Sequence, residues 1–536
     1  MGESKAIARY VAEFFGTFVL VATVCGNVLS GQTVWAGVSI GCSLAVMIYA
    51  VGKSSGAHLN PAVSVCCGLA GKCPVREVLF YAASQFLGGL SAAVLMMWTH
   101  HGNVVRVAPV GEHKWWQAAL AELLYTAVLC FVILNVAASK QHAGKNQFYG
   151  IAIGFVVVAG AYSGGGVSGG CFNPAVAFGL DFGSAITSFT APKWYSFMYV
   201  IFELVGAALA AGLYYLVRPE DYMKEASSGP SMTSKLVSEF LGTFVLVLTV
   251  GLNVLTSSPA AAFSIASSLM CMIFALGTVS GAHFNPAVTV AIYVSGRGKT
   301  TRQEALFYVA VQALAGVLAA RLSWLMTGKT FSPLKPETSS WPQVIVAELI
   351  WTCVLAFVVV SVATVKNPLS EYFGFAIGMC VTVGGFAVGS LSGGALNPAV
   401  ALGLALSSTV YDCWHFIPYT IIELLAGAAA AYIFMVTQPS EYEELEVDEE
   451  KGTVADNADA AQGIAPDDIY LQSEATAAAA DGDFGCQKFG KMATREDSDF
   501  SLSGKPKAGI EKKSLANKGA NKSAPGGGCR CLPGLF

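Results

Sequence analysis

The chain has 536 residues, 54% of them hydrophobic and only 12% charged, with a formal net charge of −4. A soluble domain carries roughly 25% charged residues, so charge this sparse over this length puts most of the chain in lipid. The small net charge argues against a nucleic-acid partner. The fourteen cysteines have neither C-x-x-C nor Cys/His metal spacing, and most lie in apolar stretches, where a free Cys acts as a small hydrophobe.

A bilayer crossing needs ~20 mostly apolar residues. Six such stretches lie near 8–28, 34–52, 77–98, 117–138, 148–163 and 194–217. Six more lie near 234–255, 260–278, 303–326, 342–363, 372–388 and 413–436. The first reads as a full span rather than a cleavable leader. Four shorter apolar stretches (60–70, 173–183, 285–295 and 397–407) begin at Asn-Pro-Ala triplets. Segments of that length cannot cross alone. They suit re-entrant half-helices, which membranes tolerate where protein or a water-filled cavity covers the backbone.

The chain repeats itself twice over. Ala12-Glu13-Phe14-Phe15-Gly16-Thr17-Phe18 returns as Ser238-Glu239-Phe240-Leu241-Gly242-Thr243-Phe244, and Asn285 follows Asn60 by 225 positions. A weaker copy sits inside each half, around Glu122 and Glu348, and every such block precedes an Asn-Pro-Ala by 46 to 51 residues. The unit is three spans plus one half-helix. An odd number of spans inverts successive units across the membrane and places a site at the midplane. With the N-terminus inside, Lys5, Arg9, Lys53, Lys72, Arg76, Lys140, Lys145 and Arg218 fall on the cytoplasmic side, against Arg106, Lys114 and Lys193 opposite. That bias predicts cytoplasmic termini.

The triplets are Asn60-Pro61-Ala62, Asn173-Pro174-Ala175, Asn285-Pro286-Ala287 and Asn397-Pro398-Ala399. Asn is a strong N-cap, and Pro suits the first helical position because it has no N–H to satisfy. Each helix start carries roughly half a positive charge. Two starts facing each other at the midplane repel cations, while the Asn amides can still donate hydrogen bonds to a neutral molecule.

The blocks SGAHLNPAV (55–63), SGGCFNPAV (168–176), SGAHFNPAV (280–288) and SGGALNPAV (392–400), with Glu in the first and fourth spans, resemble the aquaporin, or major intrinsic protein, family over about residues 8–436. The resemblance implies an all-α polytopic membrane protein made of two fused aquaporin-like bundles. Each would hold six transmembrane helices and two re-entrant half-helices in an inverted 3+3 repeat. The corresponding domains are 1–217 and 234–436, with a cytoplasmic linker at 218–233 and a disordered cytoplasmic tail at 437–536. One pore per bundle follows, and because relatives form four-pore assemblies, two chains would complete such a ring.

In most relatives an Arg follows the second triplet; here that position is Val176 or Val400. Aligned from the motifs, the selectivity filters are Ile40, Ala161, Gly170 and Val176, then Ile265, Gly385, Gly394 and Val400. All are apolar and most are small, so the filters should be wide. The Val resembles a subset of tonoplast-type members associated with urea and peroxide. Ala177 and Ala401 stand where glycerol-selective relatives usually have Asp, which argues mildly against a dedicated glycerol facilitator. The implied function is passive flow of water and small neutral solutes: urea, ammonia, hydrogen peroxide, with glycerol a further candidate. No enzyme activity and no cofactor or metal are expected. A secondary transporter or a cation leak channel on the same repeats is the alternative, and the solute, the membrane (plasma membrane or a vacuole-like organelle) and any gating stay open.

Glu13, Glu122, Glu239 and Glu348 are intramembrane acids, expected to brace the half-helix loops rather than relay protons. Glu203 and Glu423 stand in the last spans, where relatives often have Pro; their repeat partners are Gln85 and Gln312, and bonding between bundles is the favoured reading. His58 and His283 should line the pores. Cys171, two residues before Asn173, makes the first pore the mercurial-sensitive one, since Ala395 is its counterpart. The tail opens on an acidic run, holds too little apolar surface to fold alone, and ends with Cys529 and Cys531 near Lys512, Lys513, Lys518 and Lys522, a pattern compatible with palmitoylation.

Overall fold

The computed structural model describes residues 2–32, 34–223, 229–408, 410–443, 447–448 and 453–454. Part of the linker and nearly all of the tail, including Cys529 and Cys531, lie outside them. The chain up to Glu443 forms one compact unit. From the second unit only a short antiparallel pair is described, Val447–Asp448 with Thr453–Val454.

The first half runs α1 (Gly2–Leu29), α2 (Ala36–Ser55), α3 (Pro61–Leu69), α4 (Val75–Thr99), α5 (Trp115–Ile133), α6 (Tyr149–Tyr162), α7 (Gly165–Ser168), α8 (Pro174–Ser188) and α9 (Trp194–Val217). The second half runs α10 (Met232–Leu255), α11 (Ala261–Ser280), α12 (Pro286–Val294), α13 (Arg302–Thr327), α14 (Trp341–Ala363), α15 (Phe373–Ser392), α16 (Pro398–Leu406) and α17 (Phe416–Thr437). Eleven helices among the described residues are long and apolar enough to cross a membrane. The chain is an integral multi-pass membrane protein.

The twelfth expected crossing is the exception. Helix α6 has 14 residues, ~21 Å at 1.5 Å per residue, against a hydrocarbon core of ~30 Å. It ends at Tyr162; the next residue, Ser163 (φ −100°, ψ −80°), leaves the helical region, and α7 begins two residues later at Gly165. Three successive glycines, Gly164 to Gly166, stand at this break, and each weakens a helix by ~0.5–1 kcal/mol relative to Ala. The counterpart sequence, Val388-Gly389-Ser390, keeps α15 continuous over 20 residues.

The four half-helices start as their sequences dictate. Asn60, Asn173, Asn285 and Asn397 each adopt an extended backbone, and each side chain accepts from the N–H two residues on, with Pro next in line. Helix α8 is longer than the ten residues expected. Its second turn carries Asp181, a buried acid that accepts from Lys193 N (2.7 Å) and Ser196 Oγ (2.9 Å) and pairs with Arg106 at 3.6 Å, which anchors the extension.

Each half-helix packs on the other repeat: α3 against α9, α8 against α4, α12 against α17 and α16 against α13. Glycines permit the approach. A Cβ on Gly89 would lie 2.6 Å from the Ala175 carbonyl oxygen, and one on Gly316 would crowd that of Ala399 in the same way. Small residues at such crossings let backbones touch, the packing that replaces hydrophobic drive in lipid.

The halves meet along α6 and α11. Ser264 Oγ donates to Ala159 O (2.9 Å), Tyr125 and Thr249 share a hydroxyl bond (3.0 Å), and Phe148 stacks on Phe274 at 4.3 Å.

Candidate pore sites

In the first half the two half-helix starts are tied to each other. Asn60 Nδ2 donates to Phe172 O and Asn173 Nδ2 donates to Leu59 O, both at 2.9 Å. The second half repeats this: Asn285 to Leu396 O at 2.9 Å, Asn397 to Phe284 O at 3.0 Å. With Oδ1 occupied by the cap, each amide has one N–H committed to the opposite loop and one left over. The residue before each Asn has positive φ (+50° to +51° at Leu59, Phe172, Phe284 and Leu396). That left-handed turn, costly for a non-glycine residue, points the carbonyl at the opposing amide.

The intramembrane acids hold these loops. Glu13 accepts from Ser55 Oγ (2.5 Å), His58 N (3.0 Å), Leu59 N (2.7 Å) and Gln85 Nε2 (2.8 Å). Glu239 makes the matching set with Ser280, His283, Phe284 and Gln312. Glu122 accepts from Cys171 N and Phe172 N, and Glu348 from Ala395 N and Leu396 N. All four acids are fully buried.

Glu203 and Glu423 do not join the bundles, contrary to the sequence reading. Each lies within its own bundle and accepts from the triplet Asn backbone: Asn173 N to Glu203 Oε1 at 2.9 Å, Asn397 N to Glu423 Oε1 at 3.0 Å. Their second oxygens have no hydrogen-bond partner and lie near Glu122 and Glu348. Gln85 and Gln312 fill the same place in the other repeats with an amide.

Each tied pair borders a cavity. The first is about 30 Å³ and includes Ile40, His58, Asn60, Gly170, Cys171, Asn173 and Val176 in its wall. The second is about 300 Å³ and includes Ile265, His283, Asn285, Gly385, Gly394, Asn397 and Val400. Of the eight expected filter positions, seven line these two cavities and Ala161 does not. Gly170 and Gly394 have φ of +71° and +61°, which turns the backbone of each loop along the wall. His58 Nδ1 bonds Ser64 Oγ and His283 Nδ1 bonds Thr289 Oγ1, each at 3.1 Å, and each ring meets a tyrosine edge-on.

A matched pair of clamps, missed in the sequence, closes the end of each bundle. After α9, Asp221 accepts from Lys72 Nζ (2.6 Å), Lys140 N (3.2 Å) and the Tyr214 hydroxyl, and Tyr222 OH donates to Ala70 O. Burial works against the Asp221 charge, but these donors outweigh it and hold the acid below the usual carboxylate range. After α17, Glu441 accepts from Arg297 Nη2 (2.5 Å) and Lys366 N (2.8 Å), and Tyr442 OH donates to Ser295 O. Both clamps grip the segment just beyond the first half-helix. The repeated signal was Pro219-Glu220-Asp221-Tyr222 and Pro439-Ser440-Glu441-Tyr442. Beside the first clamp, burial and the Arg218 charge push His142 down to about 4.

Paired half-helix starts inside inverted repeats define a membrane protein built around a midplane site. The family model described as major intrinsic protein matches residues 1–182, 112–257 and 231–434, and the chain belongs to that family. Similar relatives include Aquaporin NIP1-1 of Zea mays, 33% identical over 222 residues (40% of this chain, 75% of the relative). Aquaporin AqpM of Methanothermobacter marburgensis is 33% identical over 248 residues (40% and 98%). Among solved structures, the aquaglyceroporin from Plasmodium falciparum aligns with 23% identity and a TM-score of 0.37, covering 40% of this chain and 99% of its own.

Proposed function

We propose that the chain is a passive channel with one pore in each of two domains, 1–217 and 234–436, joined by a cytoplasmic linker at 218–233. Water and small neutral solutes pass: urea, ammonia and hydrogen peroxide, with glycerol a further candidate. The observation that carries this reading is the reciprocal Asn-to-carbonyl pair, made twice. It draws two electropositive helix starts to one point and leaves each Asn amide one free N–H for a passing molecule. The walls around it are mostly apolar, so a neutral solute slides while a bare ion bears a desolvation cost of several kcal/mol.

The apolar filters, with Val176 and Val400 where most relatives carry Arg, lack a charged constriction and resemble the tonoplast-type second motif. The names of the similar relatives agree with a channel rather than an enzyme. The Lys/Arg bias supports cytoplasmic termini, and two pores per chain support pairing of two chains into a four-pore assembly. The test is osmotic swelling of proteoliposomes with water, urea, glycerol and ammonia. Solute flux that fails to saturate and ignores Na⁺ and H⁺ gradients fits the channel. Saturating, gradient-dependent flux identifies a transporter instead.

A further inference from the structure

The two cavities differ tenfold in size, about 30 against about 300 Å³. The smaller is of the order of a single water's share of the liquid, ≈ 30 Å³. Their walls are otherwise close copies. Eighteen residues line the first cavity, and the repeat counterpart of every one lines the second. Fifteen pairs are identical. The other three are Ile133 with Val359, Cys171 with Ala395 and Phe172 with Leu396, and each time the second bundle has the smaller side chain. The Phe172 ring also contacts Tyr125, with centroids 5.5 Å apart.

The remaining difference lies at the mouth beyond the filter. In the second bundle Gly385 and Gly389 of the unbroken α15, with Phe331 to Leu334, extend the wall. Their counterparts, Ala161 and Gly165 with residues 105–108, do not line the first cavity. There α6 breaks at Ser163, and Val110 N bonds Val167 O on the short α7 (2.9 Å), drawing the loop onto the break.

We propose that the two pores divide permeants by size: the first conducts water-sized molecules, and the second carries urea- and glycerol-sized neutral solutes as well. This rests on reading each bundle as a pore. The smaller side chains of Val359, Ala395 and Leu396 are thus the widening features, and the continuous α15 is the open mouth.

The experiment plugs one pore at a time in the full chain, reconstituted in vesicles and assayed for water, urea and glycerol. Val400→Trp is expected to lose urea and glycerol flux to the bare-lipid level while retaining water flux. Val176→Trp is expected to keep urea and glycerol flux and lose part of the water flux. If both plugs leave the solute-to-water ratio of the unmodified protein, or if Val176→Trp is the one that abolishes urea flux, the division is overturned. Should Val400→Trp fail to fold, Gly385→Leu is read the same way. As a gain-of-function arm, Ile133→Val, Cys171→Ala and Phe172→Leu combined in the Val400→Trp chain should restore urea flux; no gain counts against the wall residues as determinants. Failure of the channel reading itself looks different, because the unmodified protein would then leave vesicles no leakier than bare lipid to any of the three.

Discussion

Replacing Glu203 separates the role of its shape from the role of its acidity. In Glu203→Ala the Asn173 N–H loses its 2.9 Å acceptor, while Glu122 keeps its bonds from Cys171 N and Phe172 N. Each buried polar group left unpaired costs ~1–3 kcal/mol, and the vacated side-chain volume adds ~1 kcal/mol or more. A total of ~2–4 kcal/mol is expected. Glu203→Gln should be nearly neutral. Its amide oxygen still accepts from Asn173 N, and its NH₂ donates to Glu122 as Gln85 donates to Glu13 at 2.8 Å and Gln312 to Glu239 at 2.8 Å. An unfolding entropy of ~2.1 cal/mol/K per residue makes 1 kcal/mol worth ~1 °C for a body of this length unfolding as a unit. Thermal unfolding in one detergent should therefore drop by ~2–4 °C for Ala and by ~1 °C or less for Gln, with first-pore water flux following the same order. Equal losses for Ala and Gln would refute the bracing argument and assign the residue a role that needs the acid.

Other outcomes follow from the same geometry. Val176→Arg with Val400→Arg places a cation on both cavity walls and should suppress urea flux while sparing water in swelling assays; equal loss of both fluxes counts against the filter assignment. A mercurial should remove only the first pore's share of water flux, and Cys171→Ser should abolish that sensitivity. The clamp beside Asp221 should be insensitive to mild acid. The acid sits below its ordinary value, so the clamp's stabilisation is fully present above about pH 4 and is lost only as pH falls through the lower folded-state value. Thermal unfolding of Asp221→Asn should accordingly be lowered by a constant amount between about pH 8 and pH 5. His142 acts differently. Its value is depressed to about 4, so the folded state loses stability as pH falls from the ordinary ~6.5 toward 4. His142→Gln should flatten that decline, and an unchanged decline would place its source elsewhere.

Much of this architecture can be read locally. Asn followed by Pro starts a helix for reasons confined to a few residues, so all four half-helices begin where the triplets stand. The repeat of Glu13 as Glu122, Glu239 and Glu348 is likewise visible as a pattern. What the sequence hides depends on distant partners. Glu203 reads as a candidate for bonding between bundles until the fold sets it against Asn173 and Glu122. The break at Ser163 comes from three glycines within an apolar run that hydropathy alone treats as one span. The Asp221 and Glu441 clamps hide because a short Pro-to-Tyr turn looks like linker until Lys72 and Arg297 are brought beside it. The unequal cavities accompany three modest side-chain differences and one broken helix, changes too small for composition to register.

The most direct test is stopped-flow osmotic shrinkage of vesicles holding the unmodified protein, with membrane conductance recorded on the same preparation. Opposed half-helix starts in each bundle predict water loss much faster than from bare lipid, with no added ionic current. Shrinkage at the bare-lipid rate, or a cation current accompanying fast shrinkage, would contradict the account.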